Sequence, residues 1–224
     1  MNVGIISPIK YLNKFESKLA LCYASFLGIK VYLDYFSNSN EVTILDDSPI
    51  LPRQPNPERL RQAIKLLGPD YVIMPSIDFS ATKTIGFVSY FLKTTSVENP
   101  IGVLQGYDID SLAECYKFLS NCCEAIALPS PLEKIARRDE IARDLKIKEK
   151  LLWLEVYTNP YEEVPIGKSL GICTSFPFRV AQVNKRLSEF STKPVNPKVL
   201  DFQNKDIVEE LARENVREYL EAVQ

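Results

Sequence analysis

Histidine is absent from the 224 residues. That absence removes Ser-His-Asp and Cys-His nucleophilic catalysis, HExxH zinc chemistry and imidazole proton shuttling together. An enzyme without histidine works with carboxylates, Cys, Lys, Tyr, backbone dipoles or a cofactor. No apolar run approaches the ~20 residues that cross a bilayer. The opening "MNVGIISPIKYLNKFESK" has no basic region before its short apolar run, so a signal peptide is not expected. The five cysteines are odd in number and show neither CxxC nor CxC spacing, which fits free thiols in a reducing, cytoplasmic setting. No strand is followed by GxGxxG or GxxxxGK[ST], so the nucleotide-binding open sheets lose their phosphate-cradling turn. A net charge of −2 provides no global attraction for a polyanion, so any nucleic acid must meet a local patch.

What is present is a repeating rhythm. Short, near-continuous apolar runs occur at 2–6, 41–45, 70–74, 101–105, 124–128, 151–155 and 169–173. Runs of this kind suit parallel strands buried on both faces. Segments with helical spacing alternate with them. The spacing predicts helices over 57–67 (Leu60, Ile64 and Leu67 on one face), 109–121, 131–145 and 206–222. Pro57 suits a first turn, and Ser130 is the expected N-cap of the third helix. With an eighth strand near "PKVLDF" (197–202), the pattern predicts a small, single-domain (β/α)8 TIM-type barrel over residues 1–224. A doubly wound α/β sheet is the rival architecture.

Barrels of this kind place function at the C-terminal ends of their strands. Those ends carry Ser7, Asp46-Asp47-Ser48-Pro49, Ser76 and Asp78, Gln105-Gly106, Pro129-Ser130, Glu155 and Cys173-Thr174-Ser175. The rim thus offers carboxylates, an amide and a thiol. It suits a planar hydrogen-bonding ligand such as a nucleobase, or carboxylate-based glycosyl chemistry. Each feature has a plainer alternative. Asp46 and Asp47 can form an Asx-type turn. Gln105 can be a backbone-satisfied amide beside a tight-turn glycine. Asp78 can cap the next helix, and Cys173 can be a small buried hydrophobe. Cys122 and Cys123 read as packing.

Taken in order, "VGIISP", "VTILDDSP", "DYVIMPSID", "IGVLQGYD", "AIALPS", "LLWLEVYTNPYE" and "GICTSFPFRVA" resemble the tRNA-guanine transglycosylase superfamily. The likeness is to its short phage and archaeal members, including DNA-guanine transglycosylases. It covers most of the chain, and "VLQG" and "CTSFP" are its most telling pieces. The resemblance implies a barrel that exchanges guanine for a 7-deazaguanine in DNA or tRNA through a covalent glycosyl intermediate. It puts Asp46, or its neighbour Asp47, at the second catalytic aspartate and Cys173 at the nucleophilic aspartate. Gln105 and Gly106 fall at the base-reading pair, and Ser76 falls at a base-reading aspartate with Asp78 two residues on. Pro129 and Thr174 complete the set facing the base. The implied partners are a purine or 7-deazapurine base, DNA or tRNA, and a second copy in a homodimer. No membrane, cofactor or metal is implied, because the family's cysteine-and-histidine zinc set has no counterpart here.

The two departures, Cys for the nucleophile and Ser for the strand-end aspartate, leave three readings open. One is base exchange. Another is a diverged member that binds a base, nucleoside or protein partner without exchange. The third is transfer or hydrolysis at a nucleotide sugar, with Asp46 and Asp78 as the acid/base pair. Arg179, Lys185 and Arg186, in an acid-poor stretch running to Lys198, are the expected phosphate contacts. The segment 134–150, with seven basic and four acidic residues, reads as a solvated helix face.

Overall fold

The apolar runs read as strands form one curved, all-parallel sheet in the computed structural model, which describes residues 2–15, 18–47, 54–154, 169–190, 202 and 207–223. Its strands are β1 (Val3–Ile5), β2 (Leu19–Tyr23), β3 (Val42–Asp46), β4 (Tyr71–Ile73), β5 (Pro100–Val103), β6 (Ala125–Pro129), β7 (Lys150–Leu154) and β8 (Ser169–Thr174). The order around the sheet is β1-β8-β7-β6-β5-β4-β3-β2. The two end strands meet across a seam. A Cβ added to Gly4 of β1 would lie 2.9 Å from the Leu19 carbonyl oxygen of β2. The chain is therefore a small, nearly closed (β/α)8 barrel.

Helices follow most strands. They are α1 (Lys30–Ser37), α2 (Pro57–Leu67), α3 (Ala81–Thr94), α4 (Ile109–Leu119), α5 (Arg138–Asp144), α6 (Phe176–Gln182) and α7 (Glu209–Ala222). Local chemistry sets their ends. Asn56 accepts the Arg59 N–H at 3.0 Å ahead of Pro57, and Gly68 closes α2 at φ 56°. Asp108 and Ser111 form a reciprocal capping box on α4.

Two expectations change. The eighth strand is Leu19–Tyr23, and the sheet is complete without "PKVLDF", of which 197–201 lie outside the described residues. The segment 131–145 is not one helix. A 3-10 turn spans Ser130–Lys134, Ser130 makes no capping bond, and α5 starts at Arg138. The break lets Arg138 turn inward, as described below.

Strand alternation sorts side chains onto two faces. Leu19, Leu21, Tyr23, Ile44, Ile101, Val103, Ala127, Leu152, Leu154 and Cys173 belong to the cluster that fills the barrel. Leu45, Val72, Met74, Ile126, Leu128 and Trp153 pack outward on Leu60, Val88, Phe91, Leu112 and Ile141 of the helices. The interior is packed with side chains, as small barrels require.

Candidate active-site rim

Asp46 ends β3 two residues after interior Ile44, so the pleat turns it toward the barrel axis; it is 2% exposed. One of its carboxylate oxygens accepts the Asp47 N–H at 2.8 Å. Asp47 turns away and clasps α2. Its Oδ2 accepts the Asn56 N–H and its Oδ1 accepts Arg59 Nε–H, both at 2.7 Å. The two adjacent carboxylates therefore have different surroundings. Asp46 sits on the interior face, and both oxygens of Asp47 are held by its own chain. Ser48 and Pro49 lie outside the described residues.

Gln105 follows β5 and keeps the interior alternation of Ile101 and Val103; it is 1% exposed. Its amide is tied to the β4–α3 loop. Oε1 accepts the Phe79 N–H at 3.0 Å, and Nε2 donates to Asp78 Oδ1 at 3.4 Å. Phe79 is held at φ 58°, a left-handed conformation that a bulky residue adopts only when its surroundings impose it. Asp78 thus joins the Gln105 network, and the cap of α3 is Ser80, which accepts the Lys83 N–H. Gly106 is dictated by space. A Cβ there would lie 2.7 Å from both the Leu112 nitrogen and Ser111 Oγ. Ser76 is 2% exposed, and its hydroxyl has no hydrogen-bond partner, which is uncommon for a buried polar group. On the helix side of Gln105, burial pushes the Cys115 thiol up to about 11.

Cys173 lies on β8 opposite Gly4 on one side and Leu154 on the other, and Leu154 lies opposite Pro129. The thiol is fully buried in the interior cluster, and its Sγ would be 3.3 Å from a Cβ at position 4. Thr174 is committed to the turn into α6: its Oγ1 accepts the Phe176 N–H at 3.0 Å and its carbonyl accepts the Ile6 N–H at 2.7 Å. The structure thus brings Asp46, Gln105 and Cys173 to the interior face at one end of the barrel, with Pro129 in the same layer.

The expected phosphate contacts divide differently. Arg179 is 5% exposed and belongs to the packed base of α6. Lys185 and Arg186 are exposed, but each faces a carboxylate, Glu189 at 3.3 Å and Glu214 at 3.4 Å. Glu155, Lys193 and Lys198 lie outside the described residues.

Arg138 is the residue that sequence reasoning missed, because it sits in a run of mixed charges. It is fully buried and donates to the carbonyls of Leu128 (3.1 Å) and Leu154 (3.2 Å), at the ends of β6 and β7. It also pairs with Glu133 at 3.0 Å and stacks over Trp153 at 5.1 Å. The only available signal was the single tryptophan in "LLWLE", an indole suited to covering a guanidinium. Phe79 and Cys115 gave no sequence signal.

Among the described residues, no helix is long and apolar enough to cross a membrane. Comparison with protein-family models and with curated proteins finds no match to this chain.

Proposed function

We propose that this barrel is a catalytically diverged relative of the guanine transglycosylases, one that receives a purine or 7-deazapurine base at its C-terminal rim and does not exchange it. The observation that carries this reading is Cys173. It stands where the resemblance expects an attacking carboxylate, yet it is a fully buried thiol packed against Gly4. Attack on a sugar carbon needs an activated nucleophile, and the chain has no histidine to take the proton of this thiol. The amide of Gln105, bonded to the Phe79 N–H and to Asp78, keeps a further donor and acceptor suited to the edge of a base. The salt-matched Lys185 and Arg186 favour a small ligand over a phosphate backbone.

Calorimetry with guanine and with a 7-deazaguanine base tests binding, and labelled guanine in tRNA or duplex DNA tests exchange. The expected result is saturable base binding that weakens at least tenfold in Gln105→Ala, with no label released. Exchange by the purified single chain overturns the proposal.

Asp46 favours a second reading, base exchange itself, because it is a buried carboxylate on the interior face of the same rim. Label release that disappears in Asp46→Ala selects that reading. A covalent sugar adduct on Cys173, found by mass spectrometry with a nucleotide sugar, selects glycosyl transfer or hydrolysis instead.

A further inference from the structure

Cys122 and Cys123 follow the last turn of α4, on the outside of the barrel and away from the rim residues. Their sulfurs are 3.8 Å apart. Both are reduced; Cys122 is half-buried and Cys123 is 9% exposed. The backbone carries both thiols to one side. Cys122 and Cys123 each donate an N–H to the Leu119 carbonyl, at 3.0 and 2.8 Å, and the Cys122 thiol lies 3.6 Å from the Phe118 carbonyl. Gly102 of β5 leaves the space for the inner sulfur, since a Cβ there would fall 3.0 Å from Cys123 Sγ.

The spacing decides what this pair accepts. A direct disulfide needs its sulfurs at about 2.05 Å. One atom bonded to both sulfurs at thiolate lengths of about 2.3 Å spans up to about 4.6 Å, so 3.8 Å suits a bridging atom without moving the backbone. A metal ion that wants three or four ligands is poorly served. Among the described residues, no group of three or more His, Cys, Asp or Glu side chains could hold one. A two-sulfur site matches a soft centre that brings its own third substituent.

We propose that Cys122 and Cys123 form a vicinal dithiol site for a monosubstituted trivalent arsenical. The reaction is a condensation. Two S–H bonds and the arsenic–oxygen bond break, two arsenic–sulfur bonds form, and the oxygen leaves as water carrying both protons. Arsenic stays trivalent, so no oxidant or reductant is needed. The site is independent of base binding at the rim.

The test uses the reduced full chain and phenylarsine oxide, read by intact mass and by thiol counting. One phenylarsenic unit is expected to remain after excess β-mercaptoethanol, to protect two thiols, and to leave on addition of dimercaptopropanol. Proteolysis should place it on the peptide containing Cys122 and Cys123. Cys122→Ser, a change at a half-buried position, should lose the monothiol-resistant adduct while retaining the native circular dichroism. An adduct stripped by the monothiol, mapped to another cysteine, or kept by Cys122→Ser overturns the proposal. The wild-type measurements decide it even if a variant misfolds.

Discussion

The β5–β6–β7 wall and the β1–β2 seam close the same barrel by different means. In the wall, backbone ladders run continuously from Ile101 through Ala125 to Lys150, and Arg138 ties the carbonyl ends of β6 and β7 from behind. At the seam no ladder joins β1 to β2 among the described residues. The Tyr23 N–H donates to the Tyr32 hydroxyl of α1 at 2.7 Å. Phe26 and Phe202 pack on Tyr23 at centroid distances of 6.0 and 5.7 Å, and Phe26 lies 5.6 Å from Tyr32. A cavity of about 20 Å³, room for one water, remains among Ile6, Ser7, Tyr23, Tyr32 and Phe202. The wall is generic β structure plus one buried cation, whereas the seam depends on the identity of particular side chains.

Removing the cation should have the largest effect. Arg138→Ala leaves two strand-end carbonyls without their donor and uncovers Trp153, and should cost about 3 kcal/mol in urea unfolding. An unchanged midpoint would mean that the ladders alone hold the wall. Gly4→Ala is the corresponding lesion at the seam. Its Cβ meets the Leu19 carbonyl and the Cys173 sulfur, and the strain should cost about 2 kcal/mol by the same measurement. A neutral result would show that β1 and β2 can part freely. Tyr32→Phe keeps the ring packing and removes only the hydroxyl that receives the Tyr23 N–H. It should cost about 1 kcal/mol, with faster amide exchange confined to Tyr23 and its neighbours. A loss as large as that of Arg138→Ala would erase the contrast between seam and wall.

The same contrast explains what could be read in advance. Seven of the eight strands were legible because each is a short apolar run bounded by polar or turn residues. β2 was not, because "LALCYASFLGIKVYL" is nearly unbroken apolar sequence through β2 and into α1. Periodicity cannot divide such a run into strand and helix. The 57–67 helix matched α2 because Asn56, Pro57 and Gly68 mark both its ends. The 131–145 segment misled because its helical spacing is real, but a tertiary bond from Arg138 to two strands outweighed it. At the rim, the residue types and their strand-end positions were legible. Their commitments were not: nothing local distinguishes Asp46 from Asp47, yet one faces the barrel and the other clamps Arg59.

The sequence by itself determined the alternation of strands and helices, the parallel sheet, and the absence of any imidazole chemistry, because these follow from residue type and period. Only the tertiary structure decided which carboxylate faces inward, which arginine is buried, and that two neighbouring thiols point the same way. Each of these depends on contacts between residues far apart in the chain, or on the pleat and turn that orient a side chain, and neither is written in local spacing.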